Sequence, residues 1–378
     1  MKIKLIPRFN MTFNIRKYIK FFFVNYSLLP SVFKNNIYFT NYARSSLYLL
    51  LQSTSNNKLN VGVQAYTCHS VFKTIKKTGH KPVFIDLNEN FKLDMKDLRE
   101  KINQIDILII THTFGYPENI NEIRKISKDV IIIEDCSHSF LSKFQGEYTG
   151  TFGDASIFSL GLAKFPCIGH GGFALVNKID KFPNFVKNYS KTPLLPLLDS
   201  LKSIFKILFF SLVLNPWTYG IILFRLKRIN VGQIDLTNKF SFSVFRNSNW
   251  SNKIFSNCFI ICNDLINRYK INSNKLFELL DNHQLSFLKK ESDEPNYYIF
   301  PLLLNNRDSV HKELLKAGFE SGFHFSKSIQ WALEYGYKKG DCPKTENIVK
   351  KIITIPMHCN MKEYDIYKIA EIINKNYA

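Results

Sequence analysis

The sequence predicts an α/β protein: a mostly parallel sheet covered by helices on both faces, followed by a smaller α+β domain. Three observations carry this. Between residues 44 and 177, strand-length runs rich in Ile and Val alternate with helical stretches. Those runs are apolar at consecutive positions rather than at every second one, the mark of strands buried on both faces. From about residue 240 the alternation gives way to helix, strand, helix, strand and a closing helix, a pattern suited to a separate α+β unit. At 378 residues, 45% hydrophobic and 22% charged, the chain is long enough to bury two cores.

Residues 1–37 read as a basic N-terminal extension. Lys2, Lys4, Arg8, Arg16, Lys17, Lys20 and Lys34 lie there, and no acidic residue precedes Asp86. The chain as a whole carries a net charge of +20. Such a field attracts anions: diphosphate-bearing small molecules, an anionic membrane face or nucleic acid. A lysine-biased composition with no such role reads the same way. No zinc-finger or RNP-like motif occurs, so nucleic acid ranks last. The apolar run "FFFVNYSLLP" is short, is broken by Asn25 and Ser27, and lacks a small-residue cleavage site, so secretion is not expected. Seven cysteines without a CxxC pair do not make a disulfide framework. Cys258 and Cys262 lie one helical turn apart without a supporting histidine, so no metal is expected. The expected compartment is the reducing cytoplasm.

Residues 38–240 form the large domain. Its strands are "KLNVGVQ", "KPVFIDL", "IDILIITH" and "DVIIIED", separated by helices over Thr67–Lys77, Met95–Ile102 and Asn119–Ser127. In such sheets ligands bind beyond the carboxyl ends of the strands. Asp135 closes "DVIIIED" and Lys164 follows "SIFSL", which places both at that edge. A buried aspartate is costly unless a cation pairs with it. In "YARSSLYLLL", Ala43 to Ser46 open a helix whose free N–H groups suit a phosphate. Each residue alone also fits a plainer role: strand-end cap for Asp135, surface charge for Lys164, helix N-cap for Ser45.

Residues 192–228 interrupt this domain with an apolar and basic insertion. The longest apolar run, Ile204 to Leu214, contains Lys206 and falls well short of the roughly 20 residues that span a bilayer. Asp199, Lys202, Ser203 and Lys206 recur at helical spacing and leave a broad apolar face opposite. Pro216 is expected to end the helix. Trp217 and Tyr219, with Arg225, Lys227 and Arg228, complete a profile suited to a membrane interface. A helix packed on the protein's own core or on a dimer partner has the same pattern. Residues 241–378 form the small domain: helix "CNDLINRYKINSNKLFELL", strand "YYIFPLLL", helix "RDSVHKELLKAGF", strand "KIITIPMH" and a helix from Lys362 to Asn374.

Several motifs in order, "YTCHSVFKTIKKTGHKPVFIDLN", "THTFGYPENINEI", "IIIEDCSHSF", "GTFGDASIFSLGLAK", "GHGGFALV" and "KIITIPMHCNMKEYDIYKIAEII", resemble the DegT/DnrJ/StrS family of sugar aminotransferases. These are pyridoxal phosphate (PLP) enzymes of fold type I. The resemblance covers about residues 38 to 378 apart from the insertion. It implies that Lys164 forms the Schiff base with the cofactor aldehyde, Asp135 pairs with the pyridine nitrogen, Ser159 contacts the phosphate and His138 lies near the 3-hydroxyl. Ala43 and Arg44 replace the family's usual Gly-Thr, so Arg44 and Ser45 become the implied phosphate contacts. Cys68 stands where an aromatic residue often stacks on the ring, which leaves His69 or Tyr66 to cover that face. His170 replaces an acidic residue common in the glycine-rich turn. The family's glycine–aromatic–asparagine segment has no clean counterpart in "FSFSVFRNSNW", where Asn247 and Asn249 are the candidates.

The resemblance further implies a homodimer, an amino acid donor such as glutamate, and a keto-sugar acceptor, usually nucleotide-linked, in surface polysaccharide or glycan synthesis. A PLP-dependent sugar dehydratase and a non-catalytic membrane-associated protein are the alternatives on the same fold. Family dehydratases replace the lysine with histidine, whereas this chain keeps Lys164.

Overall fold

The computed structural model describes residues 4–12, 36–55, 57–226, 242–247, 249–280 and 293–376. The large domain opens with β1 (Ile37–Thr40) and α1 (Ala43–Leu51). It then alternates β2 (Asn60–Gln64), α2 (His69–Lys77), β3 (Lys81–Ile85), α3 (Met95–Lys101), β4 (Ile107–Thr111), α4 (Ile120–Ile126) and β5 (Ile131–Asp135). A short hairpin, β6 (Lys143–Phe144) and β7 (Glu147–Tyr148), precedes β8 (Ala155–Ser159) and β9 (Gly172–Val176). The sheet order is β1-β9-β8-β5-β4-β2-β3. Strands β2, β3, β4, β5 and β8 run parallel; β9 is antiparallel to both β8 and β1. This is the α/β architecture expected, with element ends shifted by a few residues.

Every residue of β4 is buried, and alternate side chains enter different cores. Ile107 and Ile109 pack with Leu47 and Leu50 of α1 and Phe72 and Ile75 of α2. Leu108 and Ile110 pack with Leu98 of α3 and Ile120 and Ile123 of α4. Each such fully buried side chain stabilises the fold by about 1.5–3 kcal/mol.

The same alternation separates the two acids at the end of β5. Glu134 Oε1 accepts from the Phe152 and Gly153 amides at 2.8 and 2.6 Å, and Oε2 from the Gly150 amide at 2.7 Å. His112 completes the set. Its Nδ1 accepts from the Glu118 amide at 3.0 Å, so Nε2 carries the ring proton and donates to Glu134 Oε2 at 2.8 Å. Glu118 in turn accepts from Leu93 N at 2.8 Å and Gln64 Nε2 at 3.1 Å.

After β9 come α5 (Phe185–Lys191), α6 (Leu197–Val213), α7 (Pro216–Leu226) and α8 (Asn249–Leu279). Here one expectation is corrected. Pro216 does not end the insertion's helix; α6 stops at Val213, and Pro216 begins α7. Asn215 Oδ1 accepts from the Trp217 amide at 3.1 Å, and a proline in the first turn loses no intrahelical bond.

The small domain adds β10 (Asp293–Glu294), β11 (Phe300–Leu303), α9 (Arg307–Ala317), α10 (Ser328–Leu333), α11 (Pro343–Lys351), β12 (Ile352–Ile355) and α12 (Glu363–Lys375). Strands β11 and β12 pair antiparallel, and β10 joins β6 of the large domain. One apolar cluster runs across the domain boundary, joining Tyr66, Phe91 and Phe114 to Phe277, Phe300 and Ile355. Residues 6–8 lie on the small domain, where Ile6 bridges Phe319 and the Arg8 amide donates to Glu320 Oε2 at 2.8 Å, while Thr12 Oγ1 accepts from the Cys167 amide at 2.6 Å on the loop after β8.

Burial raises the Glu118 carboxyl from 4.5 to about 7, against Lys92, the Leu93 amide and His112; Asp293 adds to the rise. With its folded value above its unfolded one, Glu118 keeps a proton that unfolding releases between those two values. Stability therefore falls as pH rises through that window. Gln at this position cannot ionise. Glu118→Gln is expected to gain roughly 2–3 kcal/mol relative to the parent chain between about pH 4.5 and pH 8, read from urea unfolding at each pH. His170 and His358, depressed to about 4, act in the opposite sense but equally in both chains, so they cancel in the difference. An unchanged difference would show that Glu118 is ionised throughout.

Candidate active site

Asp135 and Lys164 come within electrostatic reach of each other at the carboxyl edge of the sheet. Asp135 is 4% exposed, and its Oδ1 accepts from the Ser137 amide at 3.0 Å, which fixes the carboxylate at the strand end. Lys164 lies in the loop after β8. That loop closes on itself through a Gly161–Gly169 bridge and an Ile168 N–H donated to the Leu160 carbonyl at 3.0 Å. Phe165, 2% exposed, drops between Tyr269 and Tyr298 at ring distances of 5.7 and 5.9 Å and pins the neighbouring lysine. Lys164 itself is half-buried. Burial lowers its amine below the ordinary lysine range, while Cys68 and Asp135 draw it back up. A partly desolvated amine beside a carboxylate suits a lysine that must act both as nucleophile and as base.

His138 is buried beside this pair. Its Nδ1 accepts from the Phe114 amide at 3.4 Å, which assigns the ring proton to Nε2. That Nε2 is enclosed and has no hydrogen-bond partner among the described residues. Burial, reinforced by Lys164 and His324, pushes the imidazole well below its usual range, so it stays neutral. Phe325 stacks on it at 5.5 Å and 20°, and His324 stands edge-on at 5.0 Å. Both come from the small domain, and no sequence motif pointed to them. Tyr66 positions them: its hydroxyl donates to the His324 carbonyl at 2.5 Å.

A second group lies where β8, β9 and α1 converge. Ser159 pairs in register with Gly172. A Cβ on Gly172 would lie 2.3 Å from the Ala43 nitrogen, so only glycine lets β9 meet the first turn of α1. The positive end of α1 therefore opens beside Ser159. Arg44 lays its guanidinium over Tyr42 at 3.7 Å; burial lowers its pKa, while Tyr42 and Cys68 oppose that.

Ser45 is placed differently from expectation. Its hydroxyl donates to Asn41 Oδ1 at 2.7 Å and to the Ser243 carbonyl at 3.1 Å, and its amide donates to the Tyr42 carbonyl at 2.9 Å. Its polar groups hold the start of α1 together, and Tyr42, not Ser45, is the N-cap. His69 turns to the small domain, sharing a 2.9 Å hydrogen bond with the Tyr335 hydroxyl and stacking on Trp331 at 5.7 Å. Of Tyr66, Cys68 and His69, Cys68 is the one within electrostatic reach of the Lys164 amine. Asn247 is buried beside the glycine-rich turn: a Cβ on Gly171 would lie 3.1 Å from its Nδ2. Asn249 instead opens α8.

These residues fit PLP. The unpartnered His138 Nε2–H suits a ring oxygen, Lys164 an aldehyde, Asp135 a protonated ring nitrogen, and the Gly172 floor with the α1 start a phosphate.

Comparison with known proteins agrees. The model of the DegT/DnrJ/EryC1/StrS aminotransferase family matches residues 35–181 and 266–374. GDP-perosamine synthase of Escherichia coli O157:H7 is 37% identical over 107 residues, a match spanning 27% of this chain and 29% of that protein's length. UDP-4-amino-4,6-dideoxy-N-acetyl-beta-L-altrosamine transaminase of Campylobacter jejuni is 23% identical over 361 residues, 89% of this chain and 86% of that one. The sugar aminotransferase CalS13 of Micromonospora echinospora shares the fold with a TM-score of 0.71 at 16% identity, covering 99% of this chain and 100% of that one. So does the PLP form of Spr1654 of Streptococcus pneumoniae, at a TM-score of 0.69, 16% identity and 98% of both chains. The chain belongs to the DegT/DnrJ/EryC1/StrS family of aminotransferases, whose cofactor is pyridoxal phosphate.

Proposed function

We propose that this aminotransferase moves an amino group from glutamate to a keto-sugar carried on a nucleotide diphosphate, in the synthesis of surface polysaccharide or glycan. The observation that carries this reading is the Lys164 amine, partly desolvated and held beside Asp135 at the ligand edge of the sheet. The relatives named as a GDP-perosamine synthase and a UDP-sugar transaminase support a nucleotide-linked acceptor. A homodimer working in the cytoplasm, at the inner face of the membrane, completes the reading. A net charge of +20 suits both a diphosphate and an anionic surface.

Bound at this site, PLP supplies an electron sink for the pair left when an amino acid loses its Cα proton. Lys164 would anchor the cofactor, and its Nζ is the group that would take the Cα proton. Asp135 favours the protonated pyridine nitrogen, because a carboxylate within hydrogen-bond reach stabilises the charged form. His138 would offer its Nε2–H to the ring's 3-oxygen and, being neutral, would add no competing charge. Ser159, Arg44 and the first turn of α1 would hold the phosphate. Arg44 supplies a full positive charge there, and its stacking on Tyr42 limits its rotation.

Supplied with PLP, the purified chain is expected to turn yellow, and borohydride to fix the cofactor on the tryptic peptide that carries Lys164. Glutamate with a panel of nucleotide-linked keto-sugars is expected to release 2-oxoglutarate for at least one member. Lys164→Ala is expected to lose the adduct and at least about a thousandfold in turnover. Ordinary turnover in that variant, or a parent chain that forms the adduct yet releases no 2-oxoglutarate across the panel, would refute the assignment. Asp135→Asn should keep the adduct and lose about a hundredfold or more in turnover, measured under the same conditions. A variant as active as the parent would remove Asp135 from the mechanism.

A further inference from the structure

Helix α6 turns an apolar stripe away from the protein, in addition to the apolar side chains it packs inward. Ile207 is buried, Phe210 and Val213 pack against Leu5, Leu214 and Tyr219, and Ser200, Ser203 and Ser211 share that inner side. Leu197, Leu201, Phe205, Phe209 and Leu212 recur every three or four residues on the other side. They are 73%, 42%, 70%, 59% and 68% exposed. Trp217 and Ile221 of α7 add to the exposed set at 58% and 42%. A continuous apolar stripe of this size is unusual on a free surface.

The hairpin is braced rather than loose. Ile207 fills the space above Gly169, where a Cβ would lie 2.3 Å from its Cγ1. The Tyr219 hydroxyl donates to Glu320 Oε2 at 2.8 Å, and the Leu5 amide donates to the Pro216 carbonyl at 3.0 Å. One side of the hairpin thus rests on the Lys164 loop and the other on the small domain.

Charge decides what can cover the exposed side. Between residues 187 and 228 there are seven basic residues and one acid, Asp199, which pairs with Lys202 at 3.1 Å. Lys202 and Lys206 flank the stripe, so their stems can lie on lipid while the ammonium groups reach phosphates. Two copies of this segment face to face would set like charges against each other. An anionic bilayer complements both the stripe and its flank. At 17 and 11 residues, α6 and α7 are short, and no helix among the described residues is long and apolar enough to cross a membrane.

We propose that α6 and α7 form an in-plane anchor for an anionic lipid bilayer. The helices lie at the headgroup boundary, with the stripe buried in lipid and the Ile207 side on the protein. The Lys164 loop, resting on Ile207, then lies about one helix diameter, ~10 Å, from the membrane. This names the surface behind the membrane location proposed with the activity, and its test needs no turnover.

The full chain is expected to sediment with vesicles of phosphatidylglycerol and phosphatidylcholine, and far less with phosphatidylcholine alone. Added salt should weaken the binding by screening. Phe205→Asp combined with Phe209→Asp alters only exposed side chains. It is expected to lower the bound-to-free ratio at least about tenfold, with the melting temperature and the borohydride adduct on Lys164 unchanged. A parent chain that stays in the supernatant with both vesicles overturns the proposal, as does undiminished sedimentation of the double variant. Light scattering covers the other occupant. A larger assembly for the parent than for the variant, without vesicle binding, would assign the face to a second copy and equally overturn it.

Discussion

Two adjacent carboxylates at the end of β5 set the geometry of the site. Neighbouring residues of a strand face opposite sides, so Glu134 and Asp135 cannot serve the same purpose. Glu134 gathers three backbone amides from residues 150–153 together with His112, and so fixes the turn that delivers β8 alongside β5. Asp135, on the other side, faces the lysine carried by the loop after β8. The clamp and the carboxylate facing the site are therefore two consequences of one pleat. A register slip of one residue would exchange them and leave a charge buried without partners on each face.

The small domain completes the electrostatics. Burial holds His138 and His324 neutral, and the nearby Lys164 pushes them further down. Among the described residues, the cations that bear on these two imidazoles are Lys164 and, beyond His324, Arg8. An anionic cofactor entering such a site meets cations at defined places and neutral donors between them. Tyr66 links the two domains through the His324 carbonyl, so the ring stack over His138 depends on their packing together.

What the sequence made legible follows from the range of the forces involved. Buried parallel strands leave consecutive apolar residues, and a charge at the end of such a run stands out; that put Asp135 and Lys164 at the ligand edge, while their roles came only from the family resemblance. Ser45 was not legible, because its hydroxyl is claimed by Asn41 and by a carbonyl 198 residues away, and no local pattern reports that. His324 and Phe325 sit in a stretch without periodicity and reach the site only through domain packing. Arg8 belonged to a stretch that reads as a bare basic extension, yet Ile6 bridges Phe319 and seats it beside Glu320. Pro216 shows the limit at short range too. Proline both stops and starts helices, and Asn215 capping the next turn settles which.

The insertion and the site meet at the glycine-rich turn, where position 170 holds histidine in place of the acid that the family resemblance leads one to expect. Burial, with Lys206 nearby, depresses this imidazole to about 4, so it is uncharged at neutral pH. A carboxylate in its place would attract Lys206 and draw that ammonium inward, away from the flank of the apolar stripe. The neutral ring removes this competition while keeping the turn packed against α6. Position 170 and the outward-facing helix thus form one arrangement: the turn beside Lys164 carries no negative charge, and the helix above it keeps a positive one at the surface.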